Sequence, residues 1–134
     1  MRVLLDTNVL AAAFGTRGLC ADVLRVVLAE HQLVVGEVVL TELERVLAKR
    51  FKVLTATVGE ILSFLREYEV VPKPKKPAAE PVRDPSDGWI LASAVDGRAD
   101  VLITGDRDLL DLSDRSPLPV LDPRGFWTRL RKDG

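Results

Sequence analysis

The sequence is poor in the residues that build many common catalytic centres. It has one cysteine, Cys20, and one histidine, His31, in 134 residues. A lone cysteine excludes an internal disulfide framework, and neither residue has a neighbour to complete a zinc centre or a Cys–His nucleophile. Aromatic side chains make up only 5%, and no base-stacking pattern is visible among them. No glycine pattern matches a phosphate-binding loop or a dinucleotide fingerprint. No apolar stretch approaches the roughly 20 residues that span a bilayer, and Asp6 interrupts the first apolar run too early for a secretion signal. A cytoplasmic protein without membrane contact is therefore expected. The net charge of −1 leaves no overall pull toward nucleic acid.

What the sequence does contain is 47% hydrophobic and 29% charged residues, a soluble globular balance. The length fits one domain, residues 1–134, and folding at this size buries roughly two thirds of the unfolded surface. Buried strands are predicted at Arg2–Leu5, Leu33–Val35, Glu69–Val71, Val101–Ile103 and Pro119–Leu121. Helical spacing is predicted from Val9, at Leu19–Ala29, Val38–Lys49, Thr57–Glu67, Ser86–Val95, Asp106–Leu110 and Arg124–Leu130. Between residues 72 and 85 lie five of the eight prolines, which forbid helix and central strand alike and predict an exposed loop. Short β-branched runs alternating with helices require right-handed crossovers, hence an α/β/α layering around a parallel sheet.

In such sheets ligands collect outside the carboxyl ends of the strands, where strand order reverses. Asp6 follows Val3–Leu4–Leu5 directly, Asp106 follows Val101–Leu102–Ile103 closely, and Asp87 falls in the first turn of the helix after the proline loop. Each alone is a common capping placement. Together they concentrate negative charge, which is costly unless a cation neutralises it. With no Cys or His cluster, hard oxygen ligands suit Mg²⁺ or Mn²⁺. The helix over 38–49 offers Glu42 and Glu44 at equal angles on opposite flanks of its apolar face, and periodicity does not choose between them. Basic residues gather at Lys49–Arg50–Lys52, Lys73–Lys75–Lys76 and Arg129–Arg131–Lys132. Taken singly each is solvated surface charge, but around an acidic centre they suit a polyanion.

Four stretches, VLLDTNVL, LTELERVL, RDPSDGWILASA and VLITGDRDLL, fall in order across nearly the whole chain. At these residues the chain resembles the PIN-domain family of nucleases, in particular the branch of VapC-like toxins from toxin–antitoxin pairs. The resemblance implies a five-stranded parallel sheet in the order 3-2-1-4-5. It also implies a metal-binding, catalytic quartet of Asp6, Glu42, Asp87 and Asp106, with Glu42 chosen over Glu44 because the family places its acid directly before the leucine of an E-L-x-x-V-L pattern. Asn8 and Thr104 would orient the acids, with Asp84 and Asp108 as helpers. In related sequences the position of Gly88 is often acidic, a departure at the third corner of the site.

The implied activity is metal-dependent hydrolysis of phosphodiesters in single-stranded RNA. The basic loop, which is not part of the family motif, offers Lys73, Lys75, Lys76 and Arg83 to hold flanking phosphates. The implied partners are a protein antitoxin and a second copy of the chain. The competing expectation is a catalytically idle PIN-like RNA-binding or scaffold protein. A phosphatase of the haloacid dehalogenase type would need D-x-D, and the third position here is Asn8.

Overall fold

A computed structural model describes residues 1–80 and 82–133. Five strands form one sheet: β1 (Arg2–Leu5), β2 (Gln32–Gly36), β3 (Glu69–Val71), β4 (Val101–Ile103) and β5 (Val120–Leu121). All pairings are parallel and the order is β3-β2-β1-β4-β5. The helices are α1 (Thr7–Gly15), α2 (Leu19–Glu30), α3 (Glu37–Lys49), α4 (Thr55–Leu65), α5 (Pro85–Asp96), α6 (Arg107–Leu110) and α7 (Pro123–Asp133). Val3, Leu4 and Leu5 are at most 1% exposed although successive side chains point to opposite faces, so helices cover both sides of β1. The expected three-layer α/β/α sandwich is thus observed.

The register explains where a site can form. β1 runs beside β4 with Leu5 opposite Ile103, and beside β2 with Leu4 opposite Val34. The chain winds outward from β1 to β3, and α5 then returns it to the other side of β1. Strand order therefore reverses between β1 and β4, and their carboxyl ends feed loops that diverge. The returning helix comes close to the sheet at its end, where Gly97 leaves room: a Cβ there would lie 2.7 Å from Val71 Cγ2 and 2.9 Å from Val34 Cγ1.

Two local differences from the sequence reading have plain causes. Helix α4 lies two residues earlier than the expected 57–67, because Val58, Ile61 and Leu65 make its buried face and Tyr68 N–H already turns back to Leu65 O. A 3-10 turn at Ser113–Arg115, which has no apolar period to announce it, connects α6 toward β5. The proline loop is on the surface except for Pro74, which is buried; Pro81 lies outside the described residues.

The core joins Leu4 and Leu102 of the central strands to Leu10 of α1, Leu43 of α3, Leu91 of α5 and Phe126 of α7, all 0–1% exposed. Leu4→Ala removes a side chain from the middle of this cluster. Urea unfolding should show a loss of about 2–5 kcal/mol with little change in the m-value.

Candidate active site

Asp6 emerges at the end of β1 and caps α1, with Oδ1 accepting from Thr7 N–H at 2.7 Å. Its backbone N–H continues the β1–β4 ladder to Ile103 O at 2.9 Å. Its second oxygen, Oδ2, accepts from the Thr104 hydroxyl at 2.6 Å, and that hydroxyl in turn accepts from Asp106 N–H at 3.0 Å. Asp106 caps α6 through Oδ1, which accepts from Asp108 N–H at 2.8 Å. At α5 the cap is Asp84, whose Oδ1 accepts from Ser86 N–H at 3.0 Å. Asp87 sits in that first turn without capping it and is 3% exposed.

A cleft of about 390 Å³ at the switch point is walled by Asp6, Glu42, Asp84, Asp87 and Asp106. Glu42 lines it, while Glu44 is exposed and does not, so the tie that periodicity leaves on α3 goes to Glu42. One carboxylate oxygen from each of Asp87, Asp106 and Asp108 lies within 4.8 Å of the others. Asp87 Oδ2 is buried with no hydrogen-bond partner among the described residues, as is the Thr7 hydroxyl. A buried carboxylate oxygen left unpaired among other acids is the structural opening a cation would fill. The donors are all hard oxygens and no Cys or His lines the cleft, so the residues fit Mg²⁺ or Mn²⁺.

Asn8 lines the same cleft as the acids, and there its Oδ1 accepts from Arg50 at 3.2 Å. Of the loop cations, Lys73 lines a groove adjoining the cleft, while Lys75 and Lys76 line a separate one with Ala92 and Asp96 further along α5. They sit between Pro74, which is buried, and the exposed Pro77, and the next residue, Ala78, ties its N–H to Gly88 O at 3.0 Å. Arg83 is exposed beside the Asp84 cap. A Cβ at Gly88 would lie 3.2 Å from Pro77 Cβ and 3.6 Å from Val82 Cγ2, so here that position packs against the loop instead of supplying an acid.

The cations that do line the acidic cleft are Arg45, Lys49 and Arg50, at the end of α3. Lys49 and Arg50 belong to a basic cluster that the sequence presents as suited to a polyanion around an acidic centre, whereas Arg45 stands outside those clusters. The signal was present: Glu42, Arg45 and Lys49 are spaced i, i+3, i+7 and share one helical face.

Burial raises the Asp6 carboxyl to about 6; its hydrogen bonds from Thr104 and Thr7 pull it back, and the charges of Glu42 and Asp106 push it up further. Burial, then the charges of Asp106, Asp84 and Asp6, and last a hydrogen bond to the Asp106 carboxylate open only to the protonated form, raise Asp87 to about 7. An unfolded Asp titrates near 3.9, so between about pH 4 and 7 the folded state holds more protons than the unfolded state. These acids therefore stabilise the metal-free protein at low pH, and that contribution is lost as pH rises toward 7. Thermal melts in chelator should give a Tm that falls from pH 5 to pH 8. Asp87→Asn should remove most of that slope and raise stability at pH 8 by about 1–3 kcal/mol, one pKa unit corresponding to about 1.4 kcal/mol. Mn²⁺ should raise the wild-type Tm at pH 8 more than at pH 5, since its ligands must be deprotonated.

Comparison with known proteins agrees with this fold. The structure is similar to VapBC2 from Rickettsia felis, solved bound to a DNA fragment from its promoter, at TM-score 0.65 and 20% identity, covering 91% of this chain and 98% of that one. It is similar to FitAcB from Neisseria gonorrhoeae at TM-score 0.67 and 20% identity, with coverage of 91% and 98%. A third similar structure is the PIN domain endonuclease Utp24, at TM-score 0.56 and 18% identity, covering 90% of this chain and 84% of that one. No curated protein sequence gives a match. The sequence model of the PIN domain matches residues 2–108, which contain all four acids of the expected quartet, and the chain belongs to the PIN-domain family.

Proposed function

We propose that the chain, as one domain over residues 1–134, is a divalent-metal-dependent endoribonuclease acting on single-stranded RNA in the cytoplasm, the toxin of a toxin–antitoxin pair. The observation that carries this reading is the unpaired, buried Asp87 Oδ2 beside Asp106 and Asp108 at the reversal point of the sheet. Asp6, Glu42, Asp87 and Asp106 would hold Mg²⁺ or Mn²⁺, with Asp84 and Asp108 beside them. When bound, the ion supplies the positive charge that acidifies a water molecule and offsets charge on the phosphoryl and leaving oxygens.

The remaining work belongs to the chain. Thr104 and Thr7 hold both oxygens of Asp6, so the carboxylate cannot rotate away from the cleft. Among the described residues no serine, cysteine or histidine stands beside the acids with a base to activate it, and water is the attacking group. Ser86 lines the cleft without a basic partner. Arg45, Lys49 and Arg50 face the acids across the cleft and would hold the phosphates on either side of the bond, giving salt-dependent affinity with little sequence choice. The toxin role, an antitoxin partner and pairing with a second copy rest on the motif resemblance. Likeness to VapBC2 and FitAcB supports the first two.

Purified protein should cleave single-stranded RNA with Mg²⁺ or Mn²⁺ and stop in chelator. Asp6→Asn and Asp106→Asn should each retain less than about 1% of the activity, through loss of charge that the ion requires. Thr104→Val keeps the shape but drops the hydroxyl, and should weaken Mn²⁺ binding about 10- to 100-fold. Equal cleavage by wild type and the Asp6 variant would refute the assignment, and RNA binding without cleavage would favour an idle scaffold.

A further inference from the structure

Beside the acidic cleft runs a second groove of about 460 Å³ between α3 and α5, with Lys73 at its rim. The two depressions adjoin, with Glu42, Arg45, Ser86 and Ile90 lining both. Trp89 lines only the groove. It is half-buried, yet it is absent from the apolar side chains packed on the core, whereas the other tryptophan, Trp127, packs there. The described partner of its ring is the Lys73 ammonium, 4.7 Å from the centroid.

We propose that this groove is a nucleobase subsite, in which Trp89 stacks a base of single-stranded RNA next to the bond held in the acidic cleft. This rests on the ribonuclease reading above and adds to it the feature that selects unpaired strands. An indole face outside the core and next to a phosphodiester site is a stacking platform of the kind that binds successive unpaired bases without sequence choice. The bases of a duplex are stacked on one another and offer no free face. Lys73 is exposed on a long, flexible side chain. When the Lys73 ammonium leaves the half-buried ring it gains the flanking phosphate as partner, so an arriving base displaces it. Arg45, on the shared wall, holds the phosphate on the other side of that base.

The test uses full-length protein in chelator, so that binding is read without hydrolysis. Trp127→Phe leaves Trp89 as the sole indole of the two present. Titration with a 12-nucleotide single-stranded RNA should quench its emission saturably, and the same RNA annealed to its complement should quench it little. In the wild-type background, Trp89→Ala should weaken single-strand binding about 5- to 150-fold. Trp89→Leu, which keeps apolar bulk in the groove, should lose as much, and Trp89→Tyr should recover most of it. Unquenched emission, or equal affinity in Trp89→Leu and wild type, overturns the subsite in favour of a protein occupant, whether or not RNA is cleaved. Quenching and a Trp89-dependent affinity without cleavage in Mg²⁺ uphold the subsite and refute only the ribonuclease reading.

Discussion

The hydroxyl of Thr104 is the point on which the site depends. It donates to Asp6 at the exit of β1 and accepts from Asp106 N–H beyond the exit of β4, joining two segments 98 and 2 residues away from it. The link is available because the sheet reverses its order between these strands, and because the β1–β4 ladder continues one step past Leu5, from Asp6 N–H to Ile103 O. A parallel ladder sets the height of both strand exits, and one small hydroxyl then fixes the direction of a carboxylate. Val would fill the same space without that link.

The arrangement is electrostatically frustrated. Burial and neighbouring acids raise Asp6 and Asp87 well above the usual carboxylate range, and Asp87 Oδ2 has no described partner to compensate. Such a cluster lowers the stability of the metal-free fold at neutral pH, and it persists because the surrounding core is closely packed, with both faces of β1 covered. The same burial leaves Asp6 and Asp87 with charges that a cation would offset.

Helices α3 and α5 divide the labour around this centre. The first supplies Glu42 and, on the same face, the cations Arg45 and Lys49; the second supplies Asp87 to the cleft and Trp89 to the groove beside it. The proline loop acts mainly as a cover on α5. Gly88 lets it lie close, with Ala78 N–H bonded to Gly88 O. That packing accounts for the absence of an acid at position 88 and carries Lys75 and Lys76 away from the cleft.

The layered α/β architecture, the positions of all five strands and the identity of Asp6 and Asp106 as strand-exit acids were legible from the sequence, because buried strands and amphipathic helices write their periods locally. Motif resemblance supplied the strand order and the choice of Glu42, which the structure places on the cleft wall. What only the tertiary structure decided is which charged side chains share a space. Asn8 met Arg50 in the cleft, the loop lysines separated, and Trp89 was left outside the core. Each outcome depends on how one helix is rotated or one loop is laid against another element. Such placements are set by packing between segments distant in the chain, on which the local pattern of residues carries no information.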